Sequence, residues 1–482
     1  MKMNNLILLI LITLAITGST LSICLYLYSH QDTLPKGTSI SGWSVGGLHT
    51  EMALKELENQ IHRLEQLPLH ITMKDSSQSV VHSQWTLVEA GVHYEADAFR
   101  RAVRKLQEGT WFERTSYRWQ FESNFVITSH WDPASMKSIY NAAWEKEQFG
   151  VPFNATRRIN FNDKVVYTPE ISAYRLDWKA LSSLITTLIP KDFTILEHPK
   201  VDPLVLQLPF TLEGPKIKVK DLKNEGIERK IMEFSTHLRS SGEGRVFNVN
   251  SAAKASNGMI LKPGEVFDYG KVIALAEKQY GFREAPVILN GKLVPGIGGG
   301  ICQVSSTLYN AAIRTGLDIV ERRSHSMPVS YLPKGQDATF ATGSINFQFR
   351  NNTGKHLLII TTLEDRTLTV KFFGTFPANI RYDIESILVE TLTPSSKYVK
   401  NSTLPVGAQE VLQIGTIGYV VDTFRIKKVN GVVQERKRIS RDTYLPQKRL
   451  ISIHPEKDYN IGTPIAPEEK QLIEDGVSGP NF

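Results

Sequence analysis

Cysteine is nearly absent, with two residues in 482. Cys24 lies inside a hydrophobic N-terminal run and Cys302 is left without a partner, which excludes a disulfide framework. A chain that reads as exported yet keeps one unpaired thiol is unusual, and that singles out Cys302. Also missing are a His-Glu-x-x-His pair, cysteines at zinc-site spacing, a P-loop and a dinucleotide fingerprint, so no metal or nucleotide cofactor is expected. No nucleophile-elbow pattern offers a serine nucleophile. No basic stripe with interleaved aromatics occurs, so nucleic acid is not an expected partner. The net charge of +7 is mild for this length and suits weak attraction to anionic lipid headgroups or wall polymers. Hydrophobic content of 41% with 22% charged residues describes folded material rather than disorder. The length predicts about three domains.

Residues 6–28 are an uncharged apolar run long enough to cross a bilayer, preceded by Lys2. The run is longer than a usual signal-peptide core and no small-x-small site closes it, so a retained anchor is expected rather than a cleaved signal. Ile23 stands where a lipoprotein signal has Gly or Ala, which argues against lipidation of Cys24. The expected topology is a single pass, with the bulk of the chain extracytoplasmic.

Past the anchor, a helix capped by Thr50 is expected from Met52, Leu54, Leu57 and Ile61 at helical spacing, then a hairpin over 69–81 around Asp75-Ser76-Ser77. Two stretches repeat a pattern of aromatic-Thr, acidic residue, short turn and amphipathic helix. One starts at Trp85-Thr86 with its helix at 95–107; the other starts at Tyr167-Thr168 with its helix at 178–188. A third helix is expected over 133–144, strands over 153–166, and a charged helical connector over 216–239. From Ser240 the composition turns to glycine- and asparagine-rich punctuation. The region beyond 384 is β-rich, with Asn430-Gly431 as a hairpin turn between strands at 420–426 and 432–439.

The chemistry concentrates at Gly298-Gly299-Gly300-Ile301-Cys302-Gln303. Glycine permits positive φ and close backbone approach. A thiol at a helix start faces unpaired N–H groups and the positive end of the dipole, both of which favour thiolate. The helix carries Val304, Leu308 and Ala311 on one face and stops at Gly316. His325 follows an expected strand over 317–322. Asp337 follows a turn at Pro333-Lys334-Gly335 and precedes an expected strand over 338–349. Cys, His, Asp in that order, with the thiol at a helix N-terminus, is the layout of papain-like and NlpC-type hydrolases. There the imidazole takes the thiol proton, the carboxylate fixes its tautomer, and backbone N–H groups hold the oxyanion. Arg245 and Arg323 are candidates for binding a carboxylate, with an ion pair of either to Glu265 or Glu284 as the structural alternative. The same residues also allow a structural reading: Cys302 as a small buried side chain, His325 bracing a turn, Asp337 capping one, and Gln303 satisfying helix-end groups.

Arg245-x-x-Asn248, Lys262-Pro263-Gly264-Glu265, Gly281-Phe282-Arg283, the Gly298–Cys302–Gln303 block, Arg323-Ser324-His325-Ser326, Tyr331 and Gly335-Gln336-Asp337 together resemble the VanW-like family, named for an accessory protein of vancomycin-resistance clusters. Two departures are Asp268-Tyr269-Gly270, where Ser-aromatic-Asn is usual, and Asn346, where Asp is frequent. Residues 85–210 resemble a peptidoglycan-binding repeat, with a generic α+β spacer as the alternative. Leu404-Pro405-x-Gly407, Gly415-x-x-Gly418 and Tyr444-Leu445-Pro446 resemble the five-glycine domain, a type usually assigned adhesive or glycan-binding roles.

The expected architecture is α+β and multidomain: a membrane anchor at 1–30, a duplicated α+β region at 31–215, a VanW-like α+β domain at 240–375, an all-β module at 384–456 and a flexible tail at 457–482. The expected partners are peptidoglycan or another wall polymer, and the membrane through the anchor. The expected function is cell-wall-associated: a cysteine-dependent acyl-transfer or amidase-like activity with Cys302, His325 and Asp337 catalytic, and Arg245, Gly298, Gly299, Gly300, Gln303 and Arg323 binding. The alternative is a non-catalytic wall-binding or scaffold protein.

Overall fold

The computed structural model describes residues 2–75, 78–198, 200–289, 291–455 and 472–479, which fall into two compact units. The first unit comprises Met1–Phe153 and Ile171–Lys216. It opens with helix Lys2–Ser29, of which Leu6–Ser29 is long and apolar enough to span a membrane. At 1.5 Å per residue its 24 residues reach about 36 Å, beyond the ~30 Å of a hydrocarbon core. Its threonines do not break the run, because Thr13, Thr17 and Thr20 return their hydroxyls to carbonyls four residues back at 2.6–2.8 Å.

The rest of this unit surrounds one apolar core. Helix Thr50–Glu65 buries Ala53, Leu57, Ile61 and Leu64; of the expected stripe Leu57 and Ile61 face the core, Met52 is exposed, and His49 rather than Thr50 occupies the cap position. Strands Pro68–Asp75 and Gln78–Thr86 pair antiparallel as expected, and Leu204–Gln207 joins parallel to the first; the turn residues Ser76 and Ser77 lie outside the described residues. Strand then helix occurs twice, as Val92–Glu95 with Asp97–Lys105 and as Ala173–Leu176 with Trp178–Leu188. Each of these strands pairs antiparallel with a later one, Thr128–Trp131 and Phe210–Glu213, while the hairpin Thr156–Ile159 with Val165–Thr168 belongs to the other unit.

The single helix expected over 133–144 is two helices, Ala134–Ile139 and Ala142–Phe149. Asn141 accepts the N–H groups of Ala143 and Trp144 and so starts a second helix where the first ends. Helix Trp111–Trp119 was not expected, though its Thr110-x-x-Glu113 capping box is visible in the sequence.

The second unit comprises Asn154–Glu170 and Ile217–Phe482. Its main antiparallel sheet runs in the order Arg229–His237, Thr367–Gly374, Leu357–Glu364, Ile260–Leu261. The expected helical connector over 216–239 is therefore mostly a strand, preceded by the short helix Val219–Asn224. Phe234, Thr236 and Leu238 alternate inward, a period of two that the surrounding charges obscured.

Helices Glu243–Ser256, Tyr269–Tyr280 and Ile301–Thr315 share a core with this sheet. Helix Ile301–Thr315 is its centre: every residue but Arg314 is buried. It begins after Gly300 at φ +106° and ends on Gly316 at φ +80°, both left-handed conformations that favour glycine. The β-module has Ile380–Leu392, Gly418–Val429 and Val432–Tyr444 in one antiparallel sheet, turned at Asn430-Gly431 as expected. Ser396–Lys400, Arg449–Ile453 and Gln409–Gln413 form a second sheet.

The flexible tail expected over 457–482 lies partly outside the described residues. Its described part, 472–479, is ordered by pairing: Ile473–Glu474 adds antiparallel to Glu284–Leu289, itself hairpinned with Lys292–Ile297.

Candidate functional site

Cys302, His325 and Asp337 meet beside the N-terminus of helix Ile301–Thr315, and all three are buried. Asp337 Oδ2 accepts from His325 Nδ1 at 2.7 Å and from the His325 backbone N–H at 2.7 Å, which fixes both the ring and its loop. Asp337 Oδ1 accepts from the Tyr444 hydroxyl at 2.5 Å, and the Arg322 guanidinium stands 3.7 Å away. Burial works to raise the Asp337 carboxyl, but the His325 hydrogen bond and charge, with Arg322 and Tyr444, hold it at about 2. His325 is correspondingly raised well above its ordinary value: Asp337 and the thiol outweigh the burial that would lower it.

With Nδ1 committed to Asp337, Nε2 is the ring nitrogen left for Cys302. The thiol and the imidazole influence each other's protonation, yet Nε2 has no partner within hydrogen-bonding geometry among the described residues. Cys302 Sγ instead accepts the Phe340 N–H at 3.0 Å and stands 3.7 Å from Thr339 Oγ1. Burial first, then the Asp475 carboxylate, push the thiol up, against the lowering effect of His325.

The strand expected over 338–349 is only Gln348–Arg350, and the thiol helix supplies the reason. Ser305 and Ser306 hydroxyls donate to the Ala338 carbonyl at 2.6 and 3.1 Å, and Ser306 Oγ accepts the Ala338 N–H at 2.9 Å. Backbone groups that a strand partner would take are bound by side chains, so Asp337 and Phe340 are pinned to the helix that carries Cys302.

The binding candidates divide. Arg245 donates to Asp475 Oδ2 and to Gln303 Oε1, both at 3.1 Å, in place of an ion pair with Glu265 or Glu284. Gln303 in turn donates to Thr236 at 3.1 Å. Gly299 presses on the carbonyls of Ala285 and Pro286, where a Cβ would come within 2.3 Å, and Gly300 backs onto Arg245. Gly298 faces Val477. Arg323 is exposed and offers only its carbonyl, which accepts from Thr339 N–H at 2.8 Å. Its neighbour Arg322 is the buried arginine, donating to the Asp337 carbonyl at 2.7 Å and to Asp442 at 2.5 Å. Asp268 and Asn346, the two departures from the family pattern, hydrogen-bond to each other at 2.7 Å.

Four contributors carried no role in the sequence reading. Tyr444 and Asp442 come from the β-module, and Glu474 and Asp475 from the tail, all remote in sequence. Tyr331 lies over the Arg245 guanidinium with a buried hydroxyl that has no hydrogen-bond partner among the described residues. Size does not locate the site: an open cleft of about 770 Å3 elsewhere in the unit is lined by Arg157, Asp163, Glu233 and Lys371 and offers no nucleophile beside a base. Among the described residues no group of three or more His, Cys, Asp or Glu side chains is disposed to hold a metal ion.

Fold and site define a two-module assembly: a VanW-like domain followed by a G5 domain, the five-glycine type. The family described as VanW like protein matches residues 244–373, and the G5 domain matches 385–453. Among similar proteins are the uncharacterized protein YoaR of Bacillus subtilis (strain 168), 40% identical over 131 residues, and the vancomycin B-type resistance protein VanW of Enterococcus faecalis, 36% identical over 137. Each match covers 27% of this chain, and the chain spans 43% of YoaR and 50% of VanW. Two solved G5 structures also match: the IgA1 protease G5 domain and HP0197-G5. The first is 27% identical, covers 16% of this chain and 92% of that one, and has a TM-score of 0.14. The second is 21% identical, covers 16% and 99%, and has a TM-score of 0.12.

Proposed function

We propose that this chain is a membrane-anchored, extracytoplasmic protein of the cell wall whose VanW-like domain performs cysteine-dependent acyl transfer or amide hydrolysis on peptidoglycan peptides. The G5 domain contributes contact with wall glycan. The observation that supports this reading is the buried His325 Nε2, left without a hydrogen-bond partner among the described residues while Nδ1 is held by Asp337 at 2.7 Å.

In the proposed reaction the neutral form of His325, protonated at Nδ1 and hydrogen-bonded to Asp337, takes the thiol proton on Nε2 as sulfur attacks the amide carbon. The carbonyl oxygen becomes an oxyanion facing the N–H groups of Gly300 and Cys302. His325 then protonates the departing amine, leaving a thioester on Cys302. Water or a second amine attacks the thioester, giving an acid or a new amide and returning the thiol. Asp337 holds the ring tautomer and steadies the imidazolium.

The test is the muropeptide composition of isolated sacculi incubated with the full-length protein and with Cys302→Ala and Cys302→Ser. The proposal predicts altered stem peptides with the parent protein and none with either variant at equal thermal stability. Identical profiles for parent and Cys302→Ala would remove it. A non-catalytic reading draws on the complete burial of Cys302. It predicts sedimentation with sacculi that is unaffected by Cys302→Ala.

A further inference from the structure

Residues 473–479 cross the site as a strand would. Ile473–Glu474 pairs with Ile288 and Leu289, Val477 N–H donates to the Ile297 carbonyl at 2.9 Å, and Ile297 N–H donates to the Ser478 carbonyl at 3.0 Å. Asp475 N–H donates to the Phe340 carbonyl at 3.3 Å on the other side. Gly296 and Gly298 make this approach possible. A Cβ on Gly296 would stand 2.6 Å from the Ser478 carbonyl, and one on Gly298 would stand 3.1 Å from Val477 N. Part of the glycine run is thus a smooth floor for another backbone.

Two carboxylates anchor the segment. Glu474 Oε2 accepts the Ser326 N–H and hydroxyl, each at 2.9 Å. Asp475 Oδ1 accepts the N–H groups of Cys302 at 2.8 Å and Gly300 at 3.2 Å, while Oδ2 meets Arg245 at 3.1 Å. Those two N–H groups are the ones the proposed reaction assigns to the oxyanion, so the carboxylate stands where an acid product would. Asp475 also has φ +59°, a left-handed conformation that L-residues adopt at a cost and D-residues adopt freely.

We propose that the cleft recognises an extended peptide carrying a carboxylate on a residue of D configuration, and that residues 473–479 are its resident stand-in, keeping the site closed until displaced. The inference rests on the acyl-transfer reading for what the cleft does next, but not for what occupies it. The stem peptides of bacterial walls, which contain D-residues and free carboxylates, belong to this chemical class. The segment also bears on the buried thiol: Asp475 binds the Cys302 backbone N–H and disfavours ionisation of the sulfur.

The experiment measures carbamidomethylation of Cys302 by iodoacetamide in the full-length protein, read by peptide mass spectrometry so that Cys24 is separate. Gly476→Val displaces the segment sterically, because a Cβ there would lie 2.4 Å from Val287 Cγ1, and it leaves every cleft residue intact. Asp475→Asn removes the charge without bulk. Both should raise the alkylation rate about tenfold or more, because the thiolate is the reactive form, with the thermal transition retained. The octapeptide LIEDGVSG, added to the Gly476→Val protein, should protect Cys302. Its D-aspartate form should protect at concentrations roughly five- to thirtyfold lower, and its asparagine form should not protect. Unchanged alkylation in both variants would overturn the proposal, as would equal protection by the asparagine peptide. Faster alkylation with no muropeptide change would leave this inference standing and remove the acyl-transfer reading; muropeptide change with unaltered alkylation would do the reverse.

Discussion

Replacing Asp337 with Asn keeps the shape of the side chain and removes its charge. Asp337 is fully buried and receives only donors: the two His325 N–H groups, the Tyr444 hydroxyl and the nearby Arg322 guanidinium. An amide must turn its NH2 towards one of them, and Arg322 and His325 lose their counter-charge. Breaking a buried charge pair in this way costs about 3–5 kcal/mol. The pH dependence gives an independent figure. A carboxyl held at about 2 against an ordinary 3.8 contributes about 2 kcal/mol. Because the folded value is depressed, this stability is fully present above pH ~4 and is lost as pH falls towards ~2. Hydrogen exchange at the slowest amides of helix Ile301–Thr315 reads the effect locally, which a multidomain melt would not. At neutral pH, Asp337→Asn should speed their exchange by about two to four orders of magnitude, and the gap from the parent should narrow below pH 4. Exchange within a factor of five of the parent at neutral pH, or a gap that does not narrow in acid, would show that the Asp337 charge does not hold this site together.

Tyr444→Phe removes a hydroxyl that donates to Asp337 and accepts the Gly335 N–H at 2.6 Å, so it should cost about 1–3 kcal/mol, read by exchange at the Gly335 amide. Gly300→Ala puts a Cβ 2.7 Å from Arg245 Cγ at φ +106°; it should loosen Arg245 and raise Cys302 alkylation, and an unchanged rate would count against the packing described. Thr110→Ala removes a capping box in the first unit and should destabilise helix Trp111–Trp119 by about 1 kcal/mol, seen as faster exchange of the Glu113 amide, while leaving Cys302 reactivity unchanged.

Local rules made much of this chain readable. An uncharged run of 24 residues admits few alternatives to an apolar helix. The helix Ile301–Thr315 is bracketed by glycines whose positive φ both starts and stops it. Asn430-Gly431 announced its hairpin, and the order Cys302, His325, Asp337 was enough to propose their meeting. What was not readable depends on contacts distant in sequence. Strand Arg229–His237 hides its alternation among charged residues whose outward face looks helical until the sheet partner Thr367–Gly374 is known. Residues 338–347 look like a strand because they are apolar, but Ser305, Ser306 and Cys302 take their backbone groups. Of two adjacent arginines, Arg322 rather than Arg323 is buried, which only Asp442 of the β-module explains. Asp475 stands 173 residues after the cysteine whose N–H it binds, and a polar C-terminal stretch gives no local sign of that role.

Catalysis at this site requires that His325 activate Cys302 once the tail segment is out of the way. The direct measurement is the pH profile of Cys302 alkylation in Gly476→Val protein, with and without His325→Ala. The account predicts an inflection below the ordinary thiol value of about 8.5 in Gly476→Val, moving upward when His325 is also removed. Superimposable profiles at or above that value would show a thiol that the imidazole does not assist, and would contradict it.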